Sequence, residues 1–424
     1  MRHFIWIFIL LPFISHAQTL QECQDAAERN YPLIRQYDLI EKTTELTVAN
    51  IQKGWLPQIS ASAQATYQNE VAAWPTGMQN MLGNMGISIK GLRKDQYRIG
   101  LDVNQTLYDG GLISSQKEIA RQQGLVQSAQ NEVTMYQVRQ RVNEMYFALL
   151  QIDEQIQLNL DLQELLSTNE KKLESMYKKG VAAESDYNLV RAERLNVVQQ
   201  MTKLQSQRKA VALMLGSFCG LQITHVEKPS PYNIATMSQT SDRRPESRLA
   251  DMQISLANAQ ERLVNASLMP RLSVFASGFY GYPGYNMFED MMRHDWSLNG
   301  IVGARLTWNI GALYTHKNDL SKIRLQRELA ENSRDVFFYN NNLMRIQQSE
   351  NIECYRKMME EDEEIISLRS KVRKAAESKL SHGIIDINDL VKEINNENAA
   401  KVQQSMHEIE MLKQMYELKY TTND

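Results

Sequence analysis

The sequence has few of the residues that break regular structure or form covalent and metal crosslinks. It contains 424 residues with only 9 prolines and 19 glycines against 43% hydrophobic residues, which excludes disordered and collagen-like chains. Its three cysteines, Cys23, Cys219 and Cys354, are far apart in the sequence and form no C-x-x-C pair. This pattern excludes a disulfide framework and a cysteine-based zinc site.

An excess of charge of one sign is also lacking. The chain has 47 Lys and Arg residues and 50 Asp and Glu residues, a formal net charge of −3 at pH 7. It therefore has no strong positive field to hold a phosphate backbone, and nucleic-acid binding is not predicted. The dinucleotide, Walker, zinc-protease and nucleophile-elbow motifs are absent as well, so we predict no enzyme activity and no cofactor.

Only one long apolar run occurs, at the amino end. Residues 4–14 are apolar, follow Arg2, and precede small residues at positions 15 and 17. The run is about half of the ~20 residues that a transmembrane helix needs, so it predicts a secretory signal peptide over residues 1–17. The exported chain is then either soluble or a β-barrel, because only helices and closed barrels satisfy their backbone in lipid.

Three landmarks recur in the same order along the chain, which predicts a tandem repeat. They are a proline that opens a strand, an aromatic residue that ends one, and a glycine between two helices. Pro57 and Pro270 are 213 residues apart, Tyr108 and Trp308 are 200 apart, and Gly180 and Gly383 are 203 apart. We predict a first repeat over 18–240, with a strand hairpin at 58–108 and a helical hairpin at 111–215. The second repeat is predicted over 241–424, with a strand hairpin at 271–309 and a helical hairpin at 313–421.

The strand segments alternate apolar and polar residues with period two. They are ~11–13 residues long and carry aromatic residues at their ends, which suits strands that cross a membrane at a tilt. A soluble sandwich also alternates in this way and stays an alternative. Four strands cannot close a membrane barrel, so the open edges predict an oligomer. Three chains would give twelve strands and two would give eight, and the arithmetic does not choose between them.

The helical segments are too long for a compact domain. Only Gly124 interrupts residues 111–179, and a continuous helix of that length spans on the order of 100 Å. Apolar residues in this stretch follow the three-and-four spacing of a coiled coil. They are Val138, Val142, Met145, Leu149, Ile152 and Ile156.

Taken together, the tandem repeat, the proline-led strand openings and the turns at 177–181 and 380–384 resemble the TolC family of outer-membrane efflux and secretion channels. The resemblance covers essentially the whole mature chain. It implies an α+β homotrimer: a twelve-stranded outer-membrane β-barrel, with four strands per chain, continuing into a periplasmic α-helical barrel of long coiled hairpins.

The same resemblance implies a function and partners. The protein would be the exit duct of a tripartite efflux or type I secretion system in the outer membrane of a Gram-negative bacterium. It would be surrounded by outer-membrane lipid and would receive substrates from an inner-membrane transporter through a periplasmic adaptor protein. The alternative is that the chain is itself a periplasmic helical-hairpin adaptor.

The resemblance also implies adaptor-docking residues at the tips of the two helical turns. These are Gly180, Val181, Ala182, Gly383, Ile384 and Ile385. The alternative for both glycines is that they only end helices, since a left-handed backbone is cheapest for glycine.

Four further residues are implied at a periplasmic constriction. Asp389 matches the first of two aspartates that ring the entrance of well-known members, with Asp386 a weaker candidate, and Lys392 replaces the second aspartate. Ser185 and Asp186 match a Thr and an Asp of the family's closing latch, but Leu380 and Ile385 replace its Tyr and Arg. We therefore expect a cation-attracting ring that is not doubled, and a different latch. The alternative for Asp389 is an exposed aspartate at a helix start.

The two strand-to-strand loops are rich in methionine. They contain Met78, Met81, Met85, Met287, Met291, Met292 and His294. Thioethers bind Cu(I), but methionine more often fills space in flexible packing, so no metal site is predicted.

Overall fold

The computed structural model describes residues 18–87, 91–232 and 244–423. The predicted signal peptide at 1–17 and the predicted boundary between repeats at 240 lie outside these ranges. The chain divides into two compact units. As far as they are described, the first comprises Met1–Asp38, Ala129–Leu249 and Ser333–Asp424, and the second Leu39–Ser128 and Ala250–Asn332.

The elements are numbered in chain order. They are α1 (Leu20–Asn30), α2 (Ile34–Gln52), β1 (Gln58–Tyr67), α3 (Thr76–Asn84), β2 (Asp95–Tyr108), α4 (Leu112–Lys178), α5 (Glu184–Cys219), α6 (Pro245–Ser267), β3 (Arg271–Tyr282), α7 (Met287–Arg293), β4 (Ser297–Thr307), α8 (Leu313–Ser381) and α9 (Ile387–Thr422). Within the described ranges, no helix combines the length and the hydrophobicity needed to cross a bilayer.

The second unit contains one antiparallel sheet with the strand order β1-β2-β3-β4. The four strands and the very long helices confirm the predicted α+β class with four strands per chain. The central pairing of β2 with β3 joins the strand hairpin of the first repeat to that of the second. The strands are 10, 14, 12 and 11 residues long, so β1 is shorter and β2 is longer than predicted.

The sheet has one apolar face and one mainly polar face, because successive side chains of a strand point to opposite sides. Register pairs give the rows Ile59, Val103, Ala276, Val302 and Ala63, Ile99, Tyr280, Leu298 on the apolar face. The opposite face carries the row Gln64, Arg98, Gly281, Ser297. The apolar face is open: Leu298 is 82% exposed and Val302 is 80% exposed.

The first unit is built on two hydrophobic clusters. In the larger one, α1 and the end of α5 pack with α4 and α9 around Tyr146 and Phe147, which are fully buried. Val138, Val142 and Leu149 of the predicted coiled-coil seam belong to this cluster. The seam spacing therefore identified the face of α4 that is buried within the chain.

The smaller cluster lies beside the two helical turns. It joins Leu166 and Leu173 of α4 and Val190 of α5 to Leu390 and Ile394 of α9. Both hairpins therefore share one core near their turns.

Several helices were not predicted from the sequence. α1 and α2 precede the first strand and α6 precedes β3, while the short helices α3 and α7 lie in the strand-to-strand loops. The start of α1 carries a recognisable signal, a capping box in which Thr19 Oγ1 accepts from the Glu22 amide and Glu22 Oε2 accepts from the Thr19 amide.

Candidate functional site at the two helical turns

The turns after α4 and α8 have the same backbone geometry. Gly180 has φ 71° and Gly383 has φ 70°, both in the left-handed region that only glycine adopts cheaply. The Val181 amide donates to the Met176 carbonyl at 2.9 Å, and the Ile384 amide donates to the Lys379 carbonyl at 2.9 Å. These bonds across five residues define a Schellman motif at each helix end. Both glycines are therefore helix caps.

The predicted tip residues differ in their exposure. Val181 is 69% exposed and Ile384 is 70% exposed, whereas Ala182 and Ile385 are half-buried against the smaller cluster. No atom lies within 4 Å of a Cβ built on Gly180 or Gly383. Each turn thus presents one apolar side chain and open backbone to its surroundings, and anchors the next residue in the core.

In the first turn of the return helix α5, a carboxylate caps the helix. Asp186, its third residue, accepts a hydrogen bond from the amide of Ala183, the residue before the helix, at Oδ2 over 3.3 Å. Ser185 is exposed, and its Oγ lies 3.4 Å from Asp186 Oδ1. The structure therefore brings the two predicted latch residues together, with Asp186 engaged in capping its own helix.

The return helix α9 begins with the opposite arrangement. Asp386 is the cap residue itself, and its Oδ1 accepts from the Asp389 amide at 3.0 Å. This leaves the Asp389 side chain exposed, with no hydrogen bond or ion pair to any described residue. Asp186 and Asp389 are 203 residues apart, like the two glycines, so they occupy equivalent positions in the repeats. Only the second is free for another role.

An ion pair, called a clamp below, joins the two helices of each hairpin near its turn, and neither pair was predicted from the sequence. Glu170 of α4 pairs with Arg194 of α5, and Arg373 of α8 pairs with Glu397 of α9. Positions 170 and 373 correspond, as do 194 and 397, at the same spacing of 203 residues. The charges are therefore reversed between the repeats. An alignment of one repeat with the other would have found this signal.

The second clamp is the more enclosed. The side chains of Arg373 and Glu397 are 13% and 6% exposed, compared with 14% and 29% for Glu170 and Arg194. Burial acts to raise the pKa of Glu397, but hydrogen bonds from Arg373 and Lys401 outweigh it and lower that pKa below its ordinary value. Glu397 is therefore held as a carboxylate between two cations.

A seam of apolar side chains on α8 is left open. The residues of this seam are spaced three or four apart along the helix, and each is about half exposed. This spacing is that of a coiled-coil contact with another helix. They are Val336, Tyr339, Leu343 and Ile346, and further along Ile365, Leu368 and Val372. By contrast, α9 buries Leu390, Ile394, Ile409 and Leu412 almost completely. The seam on α8 is therefore a surface that the chain itself does not cover.

The described residues of the methionine-rich loops have different surroundings. His294 Nε2 lies 2.7 Å from the Gly91 carbonyl oxygen and is engaged there. Met291 is buried beside Tyr282, whereas Met81 and Met85 are exposed. In the ranges that the structure describes, no group of three His, Cys, Asp or Glu side chains could hold a metal ion.

Comparison with known proteins agrees with these features. The model of the outer membrane efflux protein family matches residues 24–220. Among curated protein sequences, none matches the chain.

Solved channel structures share the fold at low sequence identity. The outer-membrane channel OprN is 14% identical with a TM-score of 0.70, over 95% of this chain and 89% of that one. The outer membrane protein VceC of Vibrio cholerae is 10% identical with a TM-score of 0.69, over 95% of each chain. The CmeC outer membrane channel of Campylobacter jejuni is 11% identical with a TM-score of 0.68, over 95% of this chain and 85% of that one.

These likenesses do not favour the soluble-sandwich and adaptor alternatives, because the matching family model is that of outer membrane efflux proteins and the structures that share the fold are outer-membrane channels. The chain is therefore similar in sequence to the outer membrane efflux protein family over residues 24–220, and it shares the fold of outer-membrane channels over nearly its whole length.

Proposed function

We propose that the protein is the outer-membrane exit duct of a tripartite efflux or type I secretion system, and that it catalyses no reaction. One observation carries the proposal: a four-stranded sheet exposes an apolar face across all its strands and, in the described residues, leaves one edge of β1 and one edge of β4 unpaired. An exposed apolar face suits lipid, and open edges require further strands.

The proposed assembly is a homotrimer in the outer membrane of a Gram-negative bacterium. Three copies of a four-stranded sheet give twelve strands, and β4 of one copy would pair with β1 of the next. The exposed seam on α8 supports the same assembly, because an apolar stripe with coiled-coil spacing gains most when it packs against a second helix. A neighbouring copy supplies such a helix.

The polar face of the sheet would line the lumen. Asp102, Gln64 and Arg98 lie on this face, which suits a water-filled passage for polar substrates. Substrates would enter from an inner-membrane transporter and a periplasmic adaptor at the end formed by the helical turns.

At that end, the proposed docking surface consists of Gly180, Val181, Ala182, Gly383, Ile384 and Ile385. Its support is the matched Schellman geometry and the exposure of Val181 and Ile384. An adaptor would pack apolar side chains on these two residues and use the open backbone around each glycine.

The proposed constriction contains Asp389. Its carboxylate is exposed and uncommitted within the described residues, so three copies near one axis would attract cations. Asp386, Asp186 and Ser185 would support the constriction less directly, because Asp386 and Asp186 cap their own helices.

Single-channel recording tests the function. The trimeric protein in a planar bilayer should give cation-selective currents, and Asp389→Asn should reduce that selectivity. Asp386→Asn is the matched control, because asparagine also caps helices well and the substitution removes a neighbouring carboxylate that is already engaged. Correctly assembled trimers that carry no current under any applied voltage would contradict the exit-duct function.

A further inference from the structure

Two of the three cysteines meet in the core of the first unit, although 195 residues separate them in the sequence. Cys23 lies on α1, near the start of the first repeat, and Cys219 is the last residue of α5, near its end. The Cys219 thiol donates to the Cys23 carbonyl oxygen at 3.3 Å. Sequence distance therefore hid a spatial contact between the two residues.

The two thiols also influence each other's pKa. A hydrogen bond with Cys219, together with burial, raises the pKa of the Cys23 thiol, while the same hydrogen bond lowers the pKa of the Cys219 thiol. Neither side chain is reachable from solvent in the folded chain, since Cys23 is 0% exposed and Cys219 is 3% exposed. The third cysteine, Cys354, is exposed on α8.

The helices that carry the two cysteines are held together by further contacts near the end of α1. Asn30 Nδ2 at the end of α1 donates to the carbonyl oxygens of Ser217 and Phe218 at 3.2 and 3.1 Å. The rings of Tyr31 and Phe218 are stacked with centroids 5.6 Å apart. The proximity of the thiols is thus fixed by independent contacts, and it does not depend on the thiols themselves.

The cellular compartment decides whether two neighbouring thiols are oxidised. An outer-membrane protein folds outside the cytoplasm, where nearby thiols are oxidised to disulfides and remain so. We propose that Cys23 and Cys219 form a disulfide bond in the exported protein, and that this bond joins the beginning of the first repeat to its end. Cys354 stays a free thiol.

The reaction is a thiol–disulfide exchange with an exported protein disulfide as the oxidant. One cysteine thiolate attacks a sulfur of the oxidant's disulfide and forms a mixed disulfide. The second cysteine then displaces the oxidant, so the chain loses two electrons and two protons and the oxidant leaves as a dithiol. Because both sulfurs are buried in the folded chain, the exchange occurs before the core around Tyr146 closes.

Thiol counting on the full-length protein tests the proposal. Cells are treated with a membrane-permeant maleimide to trap free thiols, and the protein is then purified from the outer membrane and fully denatured. A second, heavier maleimide is added with or without prior reduction, and mass spectrometry counts the labels. We expect one label of the first kind, on Cys354, and two of the second kind only after reduction. A peptide linked through Cys23 and Cys219 should appear in the unreduced digest.

Two outcomes overturn the proposal. One is the labelling of all three cysteines in the unreduced, denatured protein, and the other is a linked peptide that contains Cys354. Because the count is made on denatured wild-type chains, it does not depend on whether a variant folds. It is also independent of the exit-duct function, since a conducting trimer with three free thiols would remove the disulfide and leave the channel.

Matched variants sharpen the result. Cys354→Ala should give no label before reduction and two afterwards. Cys219→Ala should leave Cys23 labelled without reduction, because its partner is gone. Reduction should lower the unfolding temperature of wild-type protein and of Cys354→Ala, but not that of Cys219→Ala. Equal effects of reduction on all three proteins would contradict a bond between Cys23 and Cys219.

Discussion

The α4–α5 hairpin and the α8–α9 hairpin turn through the same backbone conformation and carry an ion pair at equivalent positions, yet the charges of the pair are exchanged. Glu170 faces Arg194 in the first hairpin, and Arg373 faces Glu397 in the second. If the hairpins exchanged their return helices, the clamp position of α4 would face that of α9 and two glutamates would meet. In the other hairpin, α8 would face α5 and two arginines would meet. The reversal therefore disfavours mispairing between two otherwise similar hairpins.

The two hairpins also differ in how much of their surface the chain covers. α9 buries its apolar residues against α4, α5 and α8, whereas α8 leaves a stripe of apolar residues half exposed. The two hairpins thus share the turn geometry and the position of the clamp, while the surfaces around them differ. One helix serves the interior of the chain and the other is available to a neighbour.

The largest expected effect comes from reversing one charge of the enclosed clamp. Arg373→Glu would place that side chain beside Glu397 and Glu377, and we expect a loss of about 3–5 kcal/mol in the free energy of unfolding. Thermal or urea unfolding of the purified protein measures the loss.

The double variant Arg373→Glu with Glu397→Arg restores opposite charges and reproduces the order found in the first hairpin. It should recover most of the lost stability. A double variant as unstable as the single one would contradict the equivalence of the two clamps.

A matched pair of leucine substitutions tests whether α9 is covered within the chain and α8 is exposed for contact with a neighbour. Leu390→Ala on α9 removes a side chain that is 1% exposed, so we expect a cost of about 3 kcal/mol in chain stability. Leu368→Ala on α8 removes one that is 52% exposed, and it should reduce the trimer fraction more than the helix content. Circular dichroism and native mass spectrometry measure the two quantities. A fall in helix content for Leu368→Ala as large as that for Leu390→Ala would mean that α8 is covered within the chain.

Acid should weaken the second hairpin through Glu397. Because the folded pKa of this carboxyl is lowered, its contribution is present above the pKa of the unfolded chain and is lost as the pH falls through the folded pKa. Stability measured from neutral pH down through the acid range should therefore fall more steeply for wild-type protein than for Glu397→Gln. Parallel curves would show that the carboxylate does not stabilise the fold.

The smallest effects are expected at the two turns. Gly180→Ala and Gly383→Ala each force alanine into a left-handed conformation and should cost about 1 kcal/mol, with no clash to add to it. The two costs should be equal in unfolding measurements on the isolated protein. A clear difference between them would break the structural equivalence of the turns.

The sequence predicted the parts of the fold that depend on local pattern. Each of these parts depends only on a residue and its near neighbours. They are the strand alternation, the seam through Val138 and Val142, and the glycine at each turn, and the structure places them as expected. α6 was missed although Pro245 and Glu246 in its first turn are start signals of a helix. α3 and α7 were missed because they are short and lie in loops.

The site was less predictable because its geometry depends on contacts between distant residues. Asp186 and Asp389 are equivalent in sequence, yet one caps its helix and the other is free, which only the neighbouring Ala183 and Asp386 decide. The contact between Cys23 and Cys219 depends on packing over most of a repeat, and no local pattern encodes it.

The open edges of the sheet have a genetic consequence. In the proposed ring, β4 of each copy would pair with β1 of the next, because these are the two edge strands of the sheet. Every chain would then contribute to two contacts, and no chain would be dispensable. A chain that folds but has a damaged edge strand would be incorporated into trimers and would prevent them from closing. In a cell that makes equal amounts of intact and edge-damaged chains, only about one trimer in eight would be fully intact. Edge mutations in this protein should therefore be dominant.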